Sequence, residues 1–89
     1  MTEIEAEKIL KALANRRRLQ IIKLLKKKKK AMVGDIANTI KLSFTATSKH
    51  LGVLYSAGIV DREQKSLQMW YGLSPTPHSI VKHISNSIE

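Results

Sequence analysis

The segment from Asp35 to Val60, DIANTIKLSFTATSKHLGVLYSAGIV, constrains this chain more than any other stretch. Ile36, Ala37 and Ile40 recur at helical spacing, and Lys41-Leu42-Ser43 interrupts them. A longer helical run follows, with Leu51 and Leu54 on one face and Ala57-Gly58 at its end. A short helix, a tight turn and a longer helix form a helix-turn-helix, whose second helix suits the major groove of duplex DNA. Charge points the same way. There are 16 Lys and Arg against 7 Asp and Glu, a formal net charge of +9. Glu3, Glu5, Glu7 and Glu89 lie at the two ends, so residues 8–88 hold every basic residue but only Asp35, Asp61 and Glu63. Such a surface attracts polyanions, nucleic acid first among them.

The flanking patterns extend this motif. Thr2 with Glu5 reads as a capping box opening helix one, whose apolar stripe is Ile4, Ile9, Leu10 and Leu13. Asn15 is a suitable N-cap for helix two, with Leu19, Ile22 and Leu25 facing inward and Ile21 and Leu24 widening that face. The like charges Lys26 to Lys30 repel and should end or fray it as a solvated turn, or else supply a non-specific phosphate contact flanking the helix-turn-helix. Helix three is expected over Met32–Ile40. Helix four should be capped by Ser43 and stopped by Gly58. Ile59–Glu63 and Gln68–Leu73 alternate like a half-buried hairpin around Lys65-Ser66-Leu67. Ser74-Pro75-Thr76-Pro77 then predicts a last helix with Thr76 as N-cap and Pro77 at its first position. The expected fold is mainly α with a small β-hairpin. It is a winged helix-turn-helix in one domain, residues 1–89, with four helices, two strands and a fifth helix. The first and last helices, through Ile4, Leu10, Ile80, Ile84 and Ile88, are the expected homodimer interface.

LANRRRLQIIKLL (13–25), GDIA (34–37), TSKHLGVLYSAGIV (47–60) and MWYGLS (69–74) resemble the ArsR/SmtB-type family of small repressors. The resemblance runs from about Leu10 to Ser74. It implies a homodimer that binds a palindromic operator and represses nearby genes. It also implies a structural or DNA-proximal role for Arg18. Many members of that family sense metals through a Cys-x-Cys pair in the third helix; the matching positions here are Met32 and Gly34. The turn position usually held by glycine is Lys41, and the wing tip lacks its usual glycine.

Helical spacing divides helix four. Thr47, His50, Leu51 and Leu54 should face the core. Phe44, Thr45, Ser48, Lys49 and Gly52 should face outward. Thr45 and Ser48 can hydrogen-bond base edges or phosphates, Lys49 can reach a guanine edge or a phosphate, and Phe44 can pack on a thymine methyl. Phe44 could equally fill the core. His50 falls between the faces, as a core or phosphate-contacting residue. Arg62 and Lys65 lie on the wing and suit phosphates or the minor groove. Arg16 and Lys41 are further candidates for the DNA backbone. Three consecutive arginines at the start of helix two oppose its dipole, and either DNA phosphate or the early glutamates could compensate them.

Without cysteine there is no disulfide, thiolate metal site or cysteine nucleophile. His78 and His83 are poorly spaced for one metal, so no metal and no cofactor is expected. No apolar run approaches the ~20 residues that span a bilayer, and no membrane partner is expected. The acidic N-terminus is unlike a signal peptide, which favours a cytoplasmic, nucleoid-associated protein. No triad, phosphate loop or ligand pair suggests an enzyme. The expected partners are double-stranded DNA and a second copy of the chain. The rival function is a chromatin-like module that coats DNA without reading it, or a winged helix used for protein interaction.

Overall fold

Each element begins and ends where its capping chemistry dictates. The structure, a computed structural model, describes residues 1–89. Its elements are α1 (Glu3–Leu13), α2 (Arg16–Lys28), β1 (Lys30–Met32), α3 (Val33–Ile40), α4 (Phe44–Ser56), β2 (Val60–Lys65), β3 (Gln68–Leu73) and α5 (Ser79–Ser87). Thr2, Asn15 and Ser43 cap α1, α2 and α4 by accepting from the amides of Glu5, Arg18 and Ala46. At Thr2 the return bond of a capping box is replaced, since its hydroxyl donates to the Glu5 carboxylate (3.2 Å). Lys41 ends α3 in the left-handed region (φ 57°), a strain of about 1 kcal/mol for a non-glycine residue. Gly58 (φ 72°) ends α4. The Gly58 amide donates to the Tyr55 carbonyl and the Ile59 amide to that of Leu54, a Schellman pair that turns Ile59 into the core.

The core gathers around α2. Its Ile21, Ile22 and Leu25 are fully buried against Ile36 of α3, Leu51 and Leu54 of α4, and Ile59 and Val60 entering β2. Thr47 joins them, its hydroxyl buried without a hydrogen-bond partner. Beyond Val60 the hairpin leaves the body, and every residue from Asp61 to Gln68 is exposed. That free part is the wing.

Three expectations are corrected. The sheet has three antiparallel strands in the order β1-β3-β2, not a lone hairpin. The lysine block ends α2 as expected and is exposed, but it does not fray: α2 continues to Lys28, Lys29 turns at φ 73°, and Lys30 opens β1 by pairing with Gly72. Lys26 is anchored too, donating to the Ser85 carbonyl (3.1 Å) and Asn86 Oδ1 (2.7 Å) at the end of α5. Finally, α5 begins at Ser79 and not beside Thr76-Pro77, because the Thr76 amide donates to Ser74 Oγ in a local turn.

The terminal helices use their apolar stripes differently. Ile9, Ala12 and Leu13 of α1 are buried, whereas Ile4 and Leu10 are 80% and 54% exposed. On α5, Val81 is buried, and Ile80 and Ile84 pack against the protomer's own core. Those two isoleucines are therefore drawn inward rather than offered wholly to a partner; Ile88, just past the helix, is half-buried.

The β1–β3 seam depends on the glycine at 72. A Cβ there would stand 2.8 Å from the Lys29 carbonyl oxygen, a backbone atom that cannot swing aside. Gly72→Ala is expected to destabilise the fold by about 1–3 kcal/mol, measured by urea unfolding.

Candidate nucleic-acid interface

The surface of α4 is built by what its other face buries. Thr47, Leu51 and Leu54 are spent in the core, which turns Thr45, Ser48, Lys49, Gly52 and Val53 outward at helical spacing. Thr45 and Lys49 are exposed and Ser48 is half-buried. Phe44 is 62% exposed, so it does not fill the core. Gly52 lies mid-helix, where glycine costs about 1 kcal/mol relative to alanine. A Cβ at that position would meet no protein atom within 4 Å, so packing does not require the glycine.

The arginines of α2 find partners that neither sequence-based alternative anticipated. Arg17 Nη1 donates to the carbonyl of Ile40, the last residue of α3. Arg18 donates from Nε to the Ala12 carbonyl (2.6 Å) and from Nη2 to the Lys11 carbonyl (3.0 Å), both in the last turn of α1. The cations that oppose one dipole therefore sit on the negative ends of two others. Arg16 is exposed and makes no hydrogen bond through its side chain within the protein. Lys41 shares a cleft between α2 and α3 with Arg17, Lys23 and Lys27.

On the wing, the Arg62 guanidinium stacks 4.0 Å from the centroid of the Tyr55 ring at the end of α4. It braces the hairpin against that helix. Lys65 lies 3.6 Å from Glu63, and Lys30 3.3 Å from the same carboxylate. Hydrogen bonding and charge from Lys30, then the charge of Lys65, hold the Glu63 carboxyl below its usual range. Tyr71 is buried and Trp70 half-buried in the sheet, as packing residues.

A winged helix with an open outer face on α4 and a largely cationic surface has clear counterparts among known proteins. Residues 15–62 match the model of "Bacterial regulatory protein, arsR family". The chain belongs to the arsR family. The transcriptional activator HlyU of Vibrio cholerae is 38% identical over 68 residues, which cover 76% of this chain and 62% of that relative. The chain thus spans less than two thirds of that protein's length. The solved structure of HlyU from Vibrio cholerae N16961 superposes with a TM-score of 0.79 at 33% identity, covering 97% of this chain and 91% of that one. A homodimeric winged helix-turn-helix DNA-binding domain, Mb0332 of Mycobacterium bovis, gives 0.79 at 28% identity, covering 92% and 73%. The transcriptional repressor PagR of Bacillus anthracis gives 0.77 at 26% identity, covering 92% and 90%.

Within this arsR-family frame, Met32 ends β1 and Gly34 lies in the first turn of α3. Neither carries a thiol. His78 precedes α5 and His83 lies within it, both exposed. Sequence reasoning missed Lys8 and Lys11, which line a groove across from Lys49 together with Arg18. Their spacing puts them on one side of α1, but which helix faces them is a tertiary fact.

His50 has a defined state. Its Nδ1 lies 3.1 Å from Arg18 Nη1, a bond in which the ring nitrogen must accept and therefore be unprotonated. Burial first, then the charges of Arg18 and Arg17, lower its pKa from the ordinary 6.5. In the folded state the ring binds fewer protons than in the unfolded chain at mildly acid pH. Its contribution is complete above 6.5 and is lost as pH falls through the depressed folded value. Urea midpoints measured from about pH 8 down to about pH 5 should therefore decline, with a shallower decline in His50→Gln.

Proposed function

We propose that this chain is a homodimeric, sequence-reading regulator of double-stranded DNA that represses by occlusion. The observation that carries the proposal is the outer face of α4, where Phe44 and Thr45 stand exposed beside half-buried Ser48 while the opposite face is locked in the core. Seated in a major groove, Thr45 and Ser48 meet base edges and Phe44 meets a thymine methyl. His50, held neutral by burial and by the charge of Arg18, has its Nε2–H as donor for the groove edge or a phosphate. The wing lies alongside, with Lys65 toward phosphate or the minor groove and Arg62 bracing it against Tyr55. Arg16 and Lys41 supply flanking backbone contacts. Residues 1–89 act as one winged-helix domain with flanking dimer helices. Family membership and the likeness to Mb0332 support this reading, since that protein is described as a homodimeric DNA-binding domain.

Two copies of α4 on a dyad reach successive major grooves about 34 Å apart, so the operator is palindromic. Occupancy of such a site excludes other proteins. It represses when the excluded protein is the polymerase. The similar proteins include both a repressor, PagR, and an activator, HlyU. No helix is long and apolar enough to cross a membrane.

Selection of bound duplexes from a random pool should yield a palindrome, and binding to it should survive excess random DNA. Ser48→Ala should then weaken operator binding by about 1–3 kcal/mol while leaving random-DNA affinity unchanged. A coating protein would return no consensus.

The dimer interface is expected to centre on the exposed Ile4 and Leu10 of α1, with Ile88 and the outer edges of Ile80 and Ile84 completing it. Ile4→Asp/Leu10→Asp should give a folded monomer by light scattering, because neither side chain supports the core. A dimer that survives this change would place the interface elsewhere.

A further inference from the structure

We propose that the groove between α1 and α4 is a phosphate clamp that grips the DNA backbone where it leaves the major groove, with Lys8 and Lys11 of α1 as ligands. The proposal rests on the DNA-binding reading and extends the DNA-facing surface to a helix outside the helix-turn-helix and the wing. Lys8, Lys11, Arg18 and Lys49 line this groove, and no acidic residue does. Lys8, Lys11 and Lys49 make no hydrogen bond through their side chains and no ion pair within the protein. By contrast, Arg17, Arg18, Lys26 and Lys30 are tied to carbonyl or carboxylate oxygens. Cations facing one another across a gap repel, and an anion between them removes that repulsion.

A second observation is independent of charge. Gly52 lies on this groove in the middle of α4, with empty space where its Cβ would be. Glycine weakens a helix interior, and here no protein atom benefits from the missing side chain. The absent methyl leaves room for something that approaches from outside. Thr45, Ser48, Lys49, Gly52 and Val53 form one continuous helical stripe, so a strand whose bases meet Thr45 and Ser48 runs its phosphates over Gly52. Lys49 then holds phosphate rather than a guanine edge. Because α1 also carries the proposed dimer contacts, the clamp joins subunit pairing to DNA grip.

The test is fluorescence anisotropy with a labelled random-sequence duplex of about 30 base pairs across a potassium chloride series. Wild type should bind with a linear log–log salt dependence. Lys8→Gln/Lys11→Gln should lower the slope by about 1.8, at about 0.9 for each phosphate that is no longer neutralised. Lys82→Gln, on the exposed side of α5, should lower it by less than about 0.4. Gly52→Ala should raise the melting temperature and lower duplex affinity about tenfold, since the added methyl stands where the phosphate held by Lys49 passes over α4. An unchanged slope in the lysine double variant, with wild-type binding intact, overturns the clamp and leaves the DNA-binding reading standing. A wild type that binds no duplex overturns both. A double variant that keeps its slope but loses a shift of the Gly52 amide on titration with inorganic phosphate overturns the clamp in favour of a small-anion site.

Discussion

Three cationic side chains of α2 hold the helical body together. Arg18 takes the last-turn carbonyls of α1, Arg17 the final carbonyl of α3, and Lys26 a last-turn carbonyl of α5. Helix ends expose unpaired carbonyls with partial negative charge, and each of these ends meets a formal positive charge. The apolar side of α2 meanwhile supplies the most deeply buried residues of the core. One helix therefore sets the positions of three others by two distinct forces. The recognition surface inherits its orientation from that arrangement, because α4 packs on α2 and follows directly from α3.

This arrangement also explains why so basic a chain is not uniformly cationic at its surface. Arg17, Arg18 and Lys26 are engaged with main-chain oxygens, Arg62 with an aromatic ring, and Lys30 and Lys65 with one shared carboxylate. The lysines left without partners include Lys8, Lys11 and Lys49, which come together on one groove. Net charge counts formal charges; the field that a polyanion meets depends on where the unpaired ones gather.

The features legible in the sequence are those fixed by nearby residues. The caps at Thr2, Asn15 and Ser43, the stop at Gly58 and the division of α4 into two faces all depend on spacings of a few residues. β1 was not legible because Lys30-Ala31-Met32 has little strand character of its own; it becomes a strand by pairing with β3, some forty positions further on. The arginine partners were hidden for the same reason, since a carbonyl at Ile40 has no sequence signature. Ser74-Pro75-Thr76-Pro77 misled because two signals compete there. A proline tolerated at a helix start lies beside a serine that captures the amide of Thr76. At the interface, the spacing placed Thr45, Ser48 and Lys49 on the outer face, whereas the exposure of Phe44 and the opposition of Lys49 to α1 needed the fold.

The guanidinium of Arg18 touches three places at once: the Lys11 and Ala12 carbonyls on one helix and the His50 ring on another. A rigid planar group bonded through all three of its nitrogens behaves as a strut. Tilting the N-terminal helix would drag the histidine and, with it, the residues beside it on α4. The relative placement of α1 and α4 is thus set in part by a single planar side chain.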